Sequence, residues 1–170
     1  MTGAAFIKPS PIVKLDATHK IDAFDCGNEA LNEFLKKRAL ANQNMGSTTT
    51  YVTCRDLNVV GYYSITIGGV THDRVTSRIK NGMPKYDIPV VILARLGVAV
   101  NEKGNRIGTG LLKDALLRTV QIADIAGVRA LLIDAKPEAK EWYLRYDFEQ
   151  SPLDDNQLFL LMKDLKKVLV

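Results

Sequence analysis

Leu31, Phe34, Leu35 and Ala39 recur at helical spacing in FDCGNEALNEFLKKRALANQNMG, while Lys36, Lys37 and Arg38 fall mostly off that face. The pattern predicts an amphipathic helix that stops at Gly46. Two runs rich in β-branched and aromatic residues follow, TTTYVTCRD and VVGYYSITIGGV. With Leu57 and Asn58 as the turn between them, they are expected to pair antiparallel. Residues 72–87, HDRVTSRIKNGMPKYD, are polar and end before Pro89, which reads as a loop or a short helix. The run PVVILARLGVAV is too short, and too rich in Val, Ile and Leu, for anything but a buried central strand. It feeds a glycine-rich turn. From Thr109 a helix carries Leu112, Ala115, Leu116, Thr119 and Ala123 near one face, with Gly127 as a left-handed stop. VRALLIDA then reads as a strand, Pro137 opens a helix through EAKEWYLRYDF, and LFLLMKDL is the last strand. This order predicts a mixed α/β sheet. No repeat, low-complexity block or Pro/Gly/Ser-rich linker divides residues 1–170, which therefore read as a single domain.

Composition narrows the class without deciding it. With 46% hydrophobic and 25% charged residues, the 170-residue chain is in the ordinary globular range and long enough to bury a core without staples. Cys26 and Cys54 are far apart and have no C-x-x-C partner or His cluster, so neither a zinc site nor a disulfide framework is expected. The opening MTGAAFIKPSPIVKLDATHK has no long apolar core behind a basic start, and no apolar run reaches the roughly 18 residues of a membrane span. A cytoplasmic protein without membrane contact is the expectation. The net charge of +4 suits an anionic ligand or nucleic acid without requiring either.

The chemistry concentrates in GNRIGTGLLKDALLR, a glycine-rich turn running straight into a helix. Backbone N–H groups at a helix N-terminus have no intrahelical partner, the helix dipole adds positive potential, and glycines let an anion approach. Such turns are common, so on these grounds phosphate binding and an ordinary turn stand level.

Strand, glycine loop, amphipathic helix, strand, and a helix with an aromatic-Tyr pair form the layout of the GNAT acyl-CoA-dependent N-acetyltransferases, which the chain resembles over nearly its whole length. In that family the loop reads R/Q-x-x-G-x-G/A and cradles the pyrophosphate of coenzyme A. KGNRIG, Lys103 to Gly108, takes that place when Leu111 and Leu112 keep their usual helix positions, and Arg106 then replaces the first glycine. A second register, NRIGTG, restores both glycines but crowds the apolar helix positions; periodicity favours the first. Arg106 is either a solvated loop cation or a guanidinium beside the pyrophosphate. FDCGNEALNEFL, YVTCRDLNVVGYYSI, ILARLGVAV, LLKDALLRTVQIADIAGVRALLIDAK, WYLRYDF and LFLLMKDL together resemble the GNAT toxins of bacterial toxin–antitoxin pairs, of the TacT and AtaT type. One departure is Asp147, which stands where the family's Y-x-x-F/Y-G-F has glycine.

The resemblance implies a GNAT fold and an acetyltransferase that uses acetyl-CoA, without a metal, to acetylate the α-amino group of aminoacyl-tRNA and block translation. It implies a ribbon-helix-helix antitoxin as partner and allows a homodimer. An acetyltransferase of similar fold acting on a small amine or a protein N-terminus is the alternative. By resemblance, Leu96, Gly97 and Val98 present backbone to the thioester and pantetheine, and Lys103, Gly104, Asn105, Arg106, Ile107, Gly108 and Thr109 hold the pyrophosphate. Tyr143 matches the tyrosine that donates a proton to the departing thiolate; read from the residues alone it is a core aromatic on an amphipathic helix. Trp142 and Phe148 read as packing residues, and Tyr146 stays open between packing and function. Lys36, Lys37, Arg74, Arg78, Lys80 and Lys85 are a solvated face by themselves and candidates for tRNA phosphates under the resemblance. Arg95 interrupts the apolar strand, so it either exits to the active-site cleft, where it too is a tRNA candidate, or pairs with a carboxylate. His19 and His72 read as exposed loop residues. The cysteines have no adjacent base, so direct attack on the thioester is simpler than an acyl-cysteine route.

Overall fold

The computed structural model describes residues 8–169. Seven strands form one sheet in the order β1-β2-β3-β4-β5-β7-β6. They are β1 (Val13–Lys14), β2 (Thr49–Arg55), β3 (Asn58–Val70), β4 (Ile88–Val98), β5 (Ala130–Asp134), β6 (Glu149–Gln150) and β7 (Gln157–Leu161). The helices are α1 (Glu29–Lys37), α2 (Ala39–Asn44), α3 (Ser77–Lys80), α4 (Ile107–Ile125), α5 (Lys140–Leu144) and α6 (Met162–Val168). β4 pairs with β5 in parallel, whereas β1 with β2, β5 with β7 and β6 with β7 run antiparallel, which makes the sheet mixed. The β4-α4-β5 path is the long crossover that a parallel pair requires. The chain divides into two compact units, one running to Ser64 and resuming over Arg95–Leu111, the other comprising Ile65–Ala94 and the chain from Leu112 onward.

In the first unit the expected helix forms in two pieces. Asn28 caps α1, its side-chain oxygen accepting the Leu31 N–H at 3.1 Å. Phe34, Leu35 and Ala39 are buried and Lys36, Lys37 and Arg38 exposed, as the spacing requires. The backbone breaks at Arg38 (φ −129°) before α2, and Gly46 ends the run at φ +80°. The hairpin turn falls one residue earlier than expected. Asp56 and Leu57 hold it, both left-handed at φ 49° and 66°, because a two-residue turn with positive φ at both positions matches the twist of the strands it joins. Tyr62, wholly buried, donates its hydroxyl to the Leu31 carbonyl at 2.7 Å and packs its ring against Phe24 and Phe34.

In the second unit Val70, Val75, Ile79, Ile88, Val90, Ala130, Leu132, Phe159 and Leu161 form the core. Segment 72–87 carries two single helical turns, His72–Arg74 and α3, and it is tied down throughout. The Arg78 guanidinium donates to both oxygens of Asp164, at 2.8 and 3.0 Å, and to Glu149 at 2.6 Å. Arg129 donates to the carbonyls of Ile79, Arg78 and Asn81 at the end of α3, at 2.8, 3.2 and 3.3 Å. Three sequence expectations give way here. α5 covers five residues only, with Pro137 in the turn before it; LFLLMKDL splits into β7 and α6; and Gly127 is not left-handed. The short strand β6 has no sequence signal of its own and exists because Glu149 and Gln150 pair with Phe159 and Leu158.

Leu57 bears the cost of a side chain in the left-handed region while 49% exposed. The Lys20 N–H bond to its carbonyl, 2.7 Å, uses backbone only. Leu57→Gly, which creates an Asp-Gly turn, is expected to raise stability by about 0.5–1 kcal/mol. A urea midpoint at or below that of the parent would contradict this account of the turn.

Candidate functional site

β4 is a ladder strand for part of its length only. Its pairing with β5 runs from Val90↔Ala130 to Leu93↔Ile133 and then stops, while the strand continues to Val98. In the first unit the continuation, Arg95 to Val98, has Leu96 and Val98 half-buried and Gly97 buried. The Ala99 N–H donates to the Val60 carbonyl at 2.9 Å and the Val100 N–H to the Asp25 carbonyl at 2.8 Å, which fixes where the chain goes next.

The glycine loop follows through a helical turn at Val100–Glu102. α4 begins at Ile107, two residues earlier than the periodicity indicated, so Ile107, Gly108 and Thr109 are its first turn. The first bond closed into the helix is from the Gly110 N–H to the Arg106 carbonyl, 3.1 Å. Ile107 buries its side chain, so only its backbone can meet a ligand. That burial depends on Gly61 of β3, where a Cβ would stand 2.8 Å from the Ile107 side chain and 3.0 Å from Leu111. Lys103, Gly104, Asn105 and Arg106 are exposed.

Two loop residues are left-handed, Gly104 at φ 89° and Arg106 at φ 62°. Arg106 is the residue that the KGNRIG register places at the family's first glycine, whereas the glycines of the other register, Gly108 and Gly110, lie within α4. The backbone there takes the conformation that glycine adopts freely, with an arginine in its place. Asp147 repeats this, at φ 69° where glycine was expected. Asn105 turns its side chain inward, donating Nδ2 to Glu102 at 3.0 Å, and Glu102 is itself forked by Arg55. Sequence reasoning missed both charged partners: Arg55 lies 47 residues before Glu102, and neither belongs to a motif.

Arg95 is half-buried, and its charge meets an aromatic ring and not a carboxylate. Its guanidinium lies 3.6 Å from the centroid of the Phe34 ring, where burial pushes its pKa below the usual arginine value. No carboxylate among the described residues pairs with it.

In the second unit Tyr143 sits on α5, 6% exposed, edge-on to Trp142 and Phe148 with ring centroids 4.8 and 6.0 Å away. Trp142 also meets Tyr146 edge-on at 5.6 Å. Among the described residues nothing hydrogen-bonds the Tyr143 hydroxyl, yet the sealed side-chain polar atom without a partner is Thr48 Oγ1 and not this one. The phenol oxygen is therefore an unengaged donor at the rim of a buried ring. Burial raises its pKa, which keeps it protonated.

The basic residues divide into two kinds. Arg78 is spent on Asp164 and Glu149. Lys36, Arg74 and Lys85 are exposed and Lys80 half-buried; Lys37 pairs with Glu33 at 3.2 Å on an open helix face, and Arg74 reaches Gln157 at 3.4 Å. His19 and His72 are half-buried and not exposed. Nδ1 of His19 accepts the Asp16 N–H at 3.0 Å, and Nε2 of His72 lies 2.8 and 3.1 Å from the carbonyls of Pro84 and Tyr86. Cys26 and Cys54 are buried, and burial raises the Cys54 thiol further from the reactive thiolate. Among the described residues no group of three or more His, Cys, Asp or Glu is placed to hold a metal ion, and no helix is long and apolar enough to cross a membrane.

No family model matches the chain. Over 150 residues it is 43% identical to a tRNA-acetylating toxin of Mycobacterium tuberculosis, covering 88% of this chain and 90% of that protein. The solved structure of AtaT complexed with acetyl-methionyl-tRNAfMet matches with a TM-score of 0.87 at 24% identity, over 94% of this chain and 99% of that one. A mutant of the AtaT toxin bound to the C-terminus of the antitoxin AtaR and acetyl-CoA matches with a TM-score of 0.80 at 24% identity, over 94% and 98%. The two structures establish the fold.

The left-handed backbone at Arg106 and Asp147 makes a direct prediction. A non-glycine residue there costs roughly 1–2 kcal/mol, so Arg106→Gly and Asp147→Gly should each raise the melting temperature, while Arg106→Ala should not. Melting temperatures that fall in both glycine variants would show that the side chains repay the strain.

Proposed function

We propose that this chain, which belongs to the family of tRNA-acetylating toxins and has the GNAT fold, transfers the acetyl group of acetyl-CoA to the α-amino group of an aminoacyl-tRNA and thereby blocks translation. Within the structure the observation that carries the reading is Tyr143, an unengaged phenol held protonated on an otherwise buried ring.

The chemistry asks little of the protein beyond positioning. An α-amino group has a free pKa of roughly 7.7–8.0, so a useful fraction is neutral without a dedicated base. It attacks the thioester carbonyl, a C–N bond forms, the C–S bond breaks, and the surplus ammonium proton passes to water. Backbone at Leu96 to Val98, beyond the last β5 rung, supports the pantetheine arm and the carbonyl oxygen. The N–H groups of Ile107, Gly108 and Thr109, in the first turn of α4, support the pyrophosphate, with Lys103 and Arg106 exposed beside them. Tyr143 gives its proton to the coenzyme A sulfur and recovers one from solvent; its phenol is a weaker acid than the thiol, so it acts as charge builds on sulfur. Lys36, Lys37, Arg74, Lys80, Lys85 and Arg95 serve the tRNA phosphates, whereas Arg78 is neutralised by its carboxylates and contributes to folding instead. An antitoxin partner follows from the family, and its ribbon-helix-helix type and a pairing of two toxin copies complete the proposal.

Incubating the protein with labelled acetyl-CoA and bulk charged tRNA, then identifying the labelled amino acid by mass spectrometry, tests the reaction. Label found only on small amines would replace the tRNA reading with the alternative. Tyr143→Phe should keep the fold and acetyl-CoA affinity but lose about 100-fold or more in turnover; undiminished turnover would end its assignment as the acid. Reversing Lys80 and Lys85 to Glu should raise the KM for charged tRNA and flatten its salt dependence, with acetyl-CoA affinity unchanged. A salt-independent KM in the parent would remove the phosphate role.

A further inference from the structure

A carboxylate immediately before an anion-binding loop repels what the loop must hold, unless its charge is cancelled. Glu102 is in that position at 7% exposure. Arg55 at the end of β2 cancels it, donating Nε to Oε2 at 2.7 Å and Nη2 to Oε1 at 3.1 Å. The fork holds the Glu102 carboxyl below its usual pKa range, so the pair remains ionised at neutral pH. Oε1 also accepts the Asn105 Nδ2 at 3.0 Å, and the Asn105 N–H donates to the Glu102 carbonyl at 3.2 Å. Asn105 is thus bound to Glu102 by both side chain and backbone. Its neighbours on either side, Gly104 and Arg106, are the two left-handed residues of the loop.

We infer that Arg55, Glu102 and Asn105 are positioning residues for the pyrophosphate of acetyl-CoA: the buried carboxylate clamps Asn105, the clamp holds Gly104 and Arg106 left-handed, and Arg55 removes the charge that would otherwise oppose the anion. The inference rests on the acetyl-CoA reading above. Stability alone is a poor explanation, because an ion pair taken out of water barely repays its desolvation, whereas a fixed loop geometry and a neutral floor serve anion binding. Asn105, expected from the sequence to face the cofactor, acts through the loop it braces.

Calorimetric titration with acetyl-CoA, together with KM and kcat for each substrate, tests this. Arg55→Gln leaves Glu102 charged and should weaken acetyl-CoA by about tenfold or more, with kcat and the KM for charged tRNA near parent values. The double variant Arg55→Gln, Glu102→Gln removes the repulsion and should recover a good part of that loss. Asn105→Ala, at an exposed position, should weaken acetyl-CoA by about 5- to 20-fold without changing the melting temperature by more than a few degrees. Parent-like acetyl-CoA affinity in both Arg55→Gln and Asn105→Ala, whatever their melting temperatures, would overturn the inference and leave the acetyl-CoA reading standing. A parent protein that fails to bind acetyl-CoA would overturn that reading, and this inference with it.

Discussion

Backbone polar groups taken out of water must find partners, and β4 stops using β5 for this purpose at Leu93 while continuing as a strand to Val98. In the first unit the strand end is held by the Ala99 and Val100 N–H groups, donated to the carbonyls of Val60 and Asp25. Under the proposed function it is the main chain of this strand end, Leu96 to Val98, that meets the pantetheine arm of acetyl-CoA.

The turn after that strand is shaped by steric cost. Two positions that the family pattern set at glycine, Arg106 and Asp147, are left-handed without the residue that adopts that backbone freely. Beside Arg106, the Glu102 carboxylate, buried and forked by Arg55, accepts the Asn105 side chain, and this is the contact inferred above to hold the strained turn. On the opposite flank, Gly61 lets Ile107 and Leu111 seat the start of α4 against β3. A demanding loop thus sits on two ordinary interactions, a forked ion pair and a close glycine contact.

Charge in the second unit is sorted by whether it has been neutralised. Arg78 and Arg129 spend their guanidinium donors on carboxylates and helix-end carbonyls, and in doing so they fix segment 72–87 in place. Arg74 and Lys85 on the same segment stay exposed. A planar guanidinium fork matches a carboxylate or several carbonyls at once, which is why arginines and not lysines hold this segment to its neighbours.

The sequence by itself determined the elements whose periodicity is long and strong. The first helix, though broken at Arg38, the β2-β3 hairpin, β4 and α4 stand within a residue or two of where hydrophobic spacing put them, because burying an apolar stripe needs only a pattern of the right period. It also determined the family, since the motifs from FDCGNEALNEFL to WYLRYDF are spread over the chain. What it did not determine depends on distant partners. The split of LFLLMKDL into β7 and α6, and β6 itself, are decided by pairing and not by spacing. Arg78 looks like any cation of its segment until Glu149 and Asp164 are brought to it, and Arg95 shows no sign in the sequence that it lies on Phe34. Arg55 and Glu102 are the clearest case: 47 residues apart and in no motif, they become one neutral pair under the loop only when the chain folds, since charge is compensated through space and leaves no period along the sequence.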